Sequence, residues 1–299
     1  IGALVGLLTK TDSAKGLDNI YGRYLKNNSE ARAVFNARLS SLVEKVKLPA
    51  LIKSKLRDMK RRKALIASEE NIESTTIVLF GDFLWNAAQD QAEDIDVLVV
   101  IPGETTTFDF SGVWSDLSRD IPPVSAIVKG LGSFKPNAKA RRNLALLMLD
   151  KGIAISGDRK LIEKDLNYVI QEKDIIAWVE GLLEDALKEE WLGELGEPIR
   201  AWKRFFEGYL CLETILNKYI PKEEIRAFEQ KAFGMGLSDF HQKFYLGKIS
   251  PFPWSEEDIH EKIQEYAKQL KGFIERINSV SGHNISSSPL VLKLANFIL

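Results

Sequence analysis

The sequence predicts an α+β protein: a mixed β-sheet domain, a helical N-terminal region before it and a C-terminal α-helical bundle domain after it. Three observations lead there. Short apolar runs bounded by Gly and Pro are confined to the stretch between Thr75 and Gly157. Long segments rich in Glu, Lys and Leu, apolar at three- and four-residue steps, dominate the chain beyond Lys160. Residues from about Ser29 to Ala67 read as helical, with an interruption near Pro49. The implied division is a helical region over 1–70, a sheet domain over 71–160 and a helical domain over 161–299.

The elements follow in order. "ARAVFNARLSSLVEKV" places Val34, Phe35, Leu39, Leu42 and Val43 at helical spacing. "TTIVLFG" reads as a strand stopped by Gly81, and "IDVLVVIPG" as a buried strand stopped by Pro102 and Gly103. "VSAIVKG", entered from Pro122 and Pro123, is a weaker strand. "NAKARRNLALLMLDKG" reads as a helix ending near Gly152, with a short strand "IAISG" after it. Three long helices are expected from "KDIIAWVEGLLEDALKEEWL", "EPIRAWKRFFEGYLCLETILNKYI" and "SEEDIHEKIQEYAKQLKGFIERINSV".

Composition excludes several function classes. The 299 residues are 45% hydrophobic, enough for a sizeable core. The formal net charge of −1 gives no global field that would recruit nucleic acid or an acidic membrane. One cysteine, Cys211, rules out an internal disulfide and a four-thiolate metal site, and fits a reducing, cytoplasmic setting. His241, His260 and His283 lack ligand spacing. The apolar ends "IGALVGLL" and "PLVLKLANFIL" are too short to span a bilayer, so no membrane partner is expected. Docking of the C-terminal end on the core or on a partner subunit, as in a homo-oligomer, accounts for its apolar character. The absent initiator Met suggests that further residues precede Ile1.

The chemistry-bearing candidates are Asp94 and Asp96, at the mouth of the greasy run "VLVVI". Alternate residues on a strand share a face, so both carboxylates point one way while Ile95 turns into the core. Paired carboxylates repel, and burial would raise their pKa values. A hard divalent cation relieves both costs. Mg²⁺ in particular takes one or two carboxylates together with substrate phosphates. The plainer alternative is that the pair starts a strand and faces solvent. A glycine after the preceding strand lets backbone amides approach a phosphate, which points to Gly81 and Asp82 as a phosphate loop.

The arrangement of strand, Phe80-Gly81-Asp82, intervening segment and "EDIDVLVV" resembles the nucleotidyltransferase superfamily typified by DNA polymerase beta. It is most similar to small bacterial and archaeal nucleotidyltransferases and to the drug-modifying enzymes that share their domain. "RRNLALLMLDKGIAISGD" resembles the helix, glycine and strand that close that domain, so the likeness covers roughly Thr75 to Asp158. The resemblance implies Mg²⁺-dependent transfer of a nucleoside monophosphate from an NTP to an acceptor hydroxyl. Asp94 and Asp96 would be the catalytic, metal-holding pair, Gly81 and Asp82 the phosphate loop, and the C-terminal helices the acceptor pocket.

Three departures from the family pattern share a direction. Asp82 stands where the family has serine. The segment Asp82 to Glu93 contains no Lys or Arg. Ser125 occupies the position of the family's third carboxylate, leaving Asp109 and Asp120 as stand-ins for the general base. Two outcomes stay open: an active enzyme with a relocated third acid, or a degenerate domain kept as a nucleotide-, nucleic-acid- or partner-binding module.

Basic and aromatic residues supply further candidates. Lys53, Lys55, Arg57, Lys60, Arg61, Arg62 and Lys63 form a run that would suit a polyanion such as RNA or DNA, or simply a solvated helix face. Lys135, Lys139, Arg141 and Arg142 form a second cluster. Trp178, Trp191, Trp202, Phe205, Phe206 and Tyr209 fit a core stripe better than a wall for a ligand ring. Trp85 would cover a nucleotide or anchor its own helix.

Overall fold

The computed structural model describes residues 28–85, 94–103, 109–135, 137–188, 197–246, 248 and 256–281. It is an α+β chain whose contacts form two compact units, one reaching Val169 and including Tyr245–Gly247, the other comprising Ile170–Phe244 and Lys248–Leu299.

In the first unit, helix α1 (Ser29–Ser40) starts where Asn28 accepts the Ala31 N–H at 2.9 Å. It runs into a π-helical turn, Ser41–Lys45. The break predicted near Pro49 falls just before it, where Lys47 adopts a left-handed φ of 57°. Pro49 itself sits inside the first turn of α2 (Leu48–Arg61), where its missing N–H costs nothing. The buried face of α2 is Leu48, Ile52, Leu56 and Met59. A short α3 (Glu69–Glu73), capped by Ser68, precedes the sheet.

The sheet is mixed. Its strands are β1 (Thr76–Leu79), β2 (Ile95–Ile101), β3 (Asp109–Trp114), β4 (Val124–Gly130) and β5 (Ile153–Ser156). Their spatial order is β3-β4-β2-β1-β5. β2 is parallel to β4, and the other pairings are antiparallel. Short α4 (Asp82–Trp85) follows β1. After β4 come α5 (Ala138–Ala145), a π turn (Leu146–Asp150), β5 and α6 (Arg159–Leu166).

β3 was not anticipated, because Ser111 and Gly112 interrupt its apolar pattern. Phe110 and Trp114 stack across that gap with ring centroids 6.0 Å apart. A Cβ on Gly112 would meet the Phe110 ring at 2.6 Å, so the glycine is what lets the rings close over the strand.

The second unit is a bundle of α7 (Glu172–Ala186), α8 (Glu197–Tyr219), α9 (Lys222–Phe233), α10 (Leu237–Tyr245) and α11 (Glu256–Ser281). Trp202, Phe205, Phe206 and Tyr209 of α8 are buried. They pack edge-on or tilted against Phe228, Phe233 and Phe240. The aromatic stripe is therefore core. Trp178 is half-buried and Trp191 lies outside the described residues. No helix among the described residues is long and apolar enough to cross a membrane.

Candidate functional site

The strand directions bring several chain segments to one rim of the sheet. β1 and β3 end there, and β2, β4 and β5 begin there. Along β2 every residue is buried except Asp96. The cause is local: Ile95, Val97, Val99 and Ile101 fill one face, Leu98 and Val100 the other, and Asp96 occupies the rim position of that second face. Asp94 stands just before the strand and is half-buried like Asp96.

Gly81 reaches the same place from β1. The Phe80 N–H donates to the Asp96 carbonyl at 3.2 Å, continuing the β1–β2 ladder one step past Leu79. Gly81 then turns with φ +74°, and a Cβ there would collide with Oδ2 of Asp96. Only glycine lets the backbone adopt this φ at little cost and pass so close to the carboxylate. The sequence-selected pair of Gly81 and Asp96 is thus in contact. Asp82 opens α4 by its backbone, but its side chain and that of Trp85 lie outside the described residues, as do residues 86–93.

On the other side of β2 the parallel register sets Asp96 beside Ser125, and the Ile95 N–H donates to the Pro123 carbonyl at 2.8 Å. The two stand-in acids part company. Asp109 pairs with Lys129 at the opposite end of β3, four residues from Val113, which faces Ser125. That is about 13 Å along the strand. Asp120 is exposed in the loop that enters β4, at the rim itself, where its N–H donates to Ser118 Oγ at 3.2 Å.

The basic run of α2 faces carboxylates of its own unit. Lys53 donates to the Glu73 carbonyl at 2.6 Å, and Lys55 donates to Asp116 at 2.7 Å. Arg57 pairs with Glu69 and Glu73, Lys60 approaches Glu69 at 3.9 Å, and Arg61 pairs with Asp58. Arg62 and Lys63 follow, exposed, in the turn after α2. Hydrogen bonds from Lys55 and Arg57 hold the Asp116 and Glu69 carboxyls below their usual range. In the second cluster Arg141 donates back to the Phe134 carbonyl at 2.9 Å, and Asn137 caps α5 through the Lys139 and Ala140 N–H groups.

One cation near the rim was not singled out from sequence. Arg38, from α1, lies with its guanidinium carbon 4.0 Å from the centre of the Phe83 ring. Phe83 is two residues past Gly81. No spacing rule connects α1 with this loop, so the sequence held no signal for it.

Among the described residues no group of three or more His, Cys, Asp or Glu is arranged to hold a metal ion. His241 is buried in the helical unit, where burial lowers its pKa to about 3, and His283 lies outside the described residues. No protein-family model and no curated protein matches this chain.

Proposed function

We propose that this chain is a nucleotidyltransferase-like protein that moves a nucleoside monophosphate from an NTP to an acceptor hydroxyl with the help of Mg²⁺. The observation that carries the reading is the contact between Gly81 and Asp96. It sets a bare, left-handed turn of backbone against the one half-exposed carboxylate of a buried strand. Such a junction admits a phosphate chain close to the backbone and offers it anionic oxygens that only a cation can bridge.

Asp94 and Asp96 supply two hard oxygen donors, which suits an ion that completes its shell with substrate phosphates rather than one held permanently by protein. Bound there, Mg²⁺ would neutralise charge developing on the transferring phosphate and orient it. Gly81 keeps the loop open above Asp96. Asp120 is the carboxylate on the β4 entry loop that could take a proton from an incoming hydroxyl, since Asp109 is at the wrong end of its strand.

A second reading has its own observation. Ser125, not an acid, is the residue beside Asp96 on β4. A serine there favours a degenerate module that binds a nucleotide, nucleic acid or protein partner without transfer. Pyrophosphate release, assayed with each of the four NTPs, Mg²⁺ and a panel of hydroxyl acceptors, separates the two. The transferase reading expects release that Asp96→Asn abolishes without loss of fold. Release by no NTP, or release untouched by Asp96→Asn, defeats it.

A further inference from the structure

We infer that Arg38 is the oligophosphate-binding cation of the rim, delivered by the N-terminal helix to the loop that lacks one of its own. The inference rests on the reading of the rim as a phosphate site.

The sequence from Asp82 to Glu93 carries acids and no Lys or Arg. With Asp94 and Asp96 added, the approach to Gly81 is anionic, and a triphosphate would be repelled unless positive charge is supplied from elsewhere. The α2 basic run is a poor donor of that charge, because Lys53, Lys55, Arg57, Lys60 and Arg61 are matched to carboxylates of their own unit. Arg141 is turned back on a main-chain carbonyl.

Arg38 is placed differently. Its guanidinium lies over the Phe83 ring, one helical turn into the segment that begins at Gly81. The turn is closed by the Leu84 N–H donating to the Gly81 carbonyl at 3.1 Å, so Phe83 and Gly81 move as one piece. Phe83 is buried, 6% exposed, and serves as a fixed platform. Arg38 itself is half-buried. Stacking uses the flat face of a guanidinium and leaves its in-plane N–H fork as the hydrogen-bonding edge. That fork matches the oxygens of a phosphate, and a stacked arginine loses little further entropy on binding one. A purely structural role, fastening α1 to α4, needs only the ring contact and makes no demand for an anion.

The test uses the full chain and inorganic tripolyphosphate, titrated calorimetrically with and without Mg²⁺ at several salt concentrations. The variants are Arg38→Gln, Arg38→Lys and Phe83→Leu, each checked for unchanged circular dichroism and melting temperature. The expected result is binding by the natural chain that weakens about ten- to hundredfold in Arg38→Gln. Arg38→Lys should recover part of it, Phe83→Leu should lose part of it, and the salt slope should become shallower in Arg38→Gln. A fastening role would leave affinity and salt slope alone. Equal binding by Arg38→Gln, or no tripolyphosphate binding by the natural chain, overturns the inference. Arg38-dependent binding with no pyrophosphate release from any NTP keeps it and defeats the transferase reading. Release with an unchanged KM for NTP in Arg38→Gln does the reverse.

Discussion

The rim of the sheet and the interior of the helical unit treat polar groups in opposite ways. At the rim, Asp94 and Asp96 remain half-exposed at the ends of apolar strands, and the backbone beside them is kept bare by Gly81. In the helical unit the polar groups are driven inward. Tyr209 is buried and donates to Glu229 at 2.9 Å; burial first, then the Glu229 charge, raises its pKa far above the ordinary value. The second Glu229 oxygen accepts the Leu237 N–H at 3.2 Å, so one carboxylate ties α8 and α9 to the start of α10. His241 stacks on Phe206 within the same aromatic core. Strongly shifted pKa values are often a pointer to function. Here they mark packing, while the candidate chemistry lies where side chains still reach water.

The largest break in that comparison should come from the aromatic core. Trp202 touches Phe205, Phe206, Phe233 and Phe240 and is 2% exposed. Trp202→Ala should cost about 3–5 kcal/mol, because the cavity it leaves is walled by rings that cannot collapse into it. Urea unfolding measures the loss. If the two regions are energetically separate, tripolyphosphate affinity in the fraction still folded should not move.

Gly81→Ala attacks the rim instead. The new methyl must adopt a φ of +74° and displace the Asp96 carboxylate. Left-handed strain of about 1 kcal/mol and overpacking of about 1–3 kcal/mol add to a loss of roughly 2–4 kcal/mol. The decisive readout is again binding: a variant that melts lower yet binds tripolyphosphate with Mg²⁺ as before would show that the Gly81–Asp96 contact is structural only.

These two sites were unequally legible in the sequence. β1, β2, β4 and β5 could be read from apolar runs with clear stops, and Gly81 and Asp96 could be picked because each sits at such a stop. β3 could not, since its cohesion comes from Phe110 and Trp114 reaching across a glycine, a contact of side chains and not a pattern of hydropathy. α9 and α10 were also missed as separate helices. Their joint is Gly234, left-handed at φ +69°, in a stretch whose apolar residues continue on both sides. Arg38 was invisible for a different reason: tertiary packing alone brings α1 to the loop after Gly81.

Acid should separate the regions more gently. His241 is neutral in the fold, with its pKa lowered by burial to about 3 from an ordinary 6.5. Above pH 6.5 neither the folded nor the unfolded state takes the proton, so stability is at its full value. As the pH falls below 6.5 the unfolded chain binds a proton that the folded unit refuses. Stability then drops by up to about 1.4 kcal/mol per pH unit until the pH nears the folded value. From pH 7 to pH 5 the expected loss is about 2 kcal/mol, read as a shift in the urea midpoint. His241→Phe should flatten this dependence. A midpoint equally sensitive to pH in that variant would assign the acid response to other groups.

The smallest effect on stability, and the sharpest on the nucleic-acid alternative, concerns α2. Its ion pairs are exposed or half-exposed, and pairs of that kind contribute little to folding. What they do is match the charge that a polyanion would otherwise find. Glu69 and Glu73 on α3 accept from Lys53, Arg57 and Lys60, and Asp116 accepts from Lys55. Replacing Glu69 and Glu73 together by Gln should therefore leave the melting temperature almost unchanged while raising affinity for single-stranded RNA. The gain should vanish as salt is raised. The opposite sign is just as informative. If the natural chain already binds RNA with a steep salt dependence, and the double Gln variant binds no better, then Arg62 and Lys63, exposed in the turn after α2, must be enough by themselves to make that surface a nucleic-acid contact.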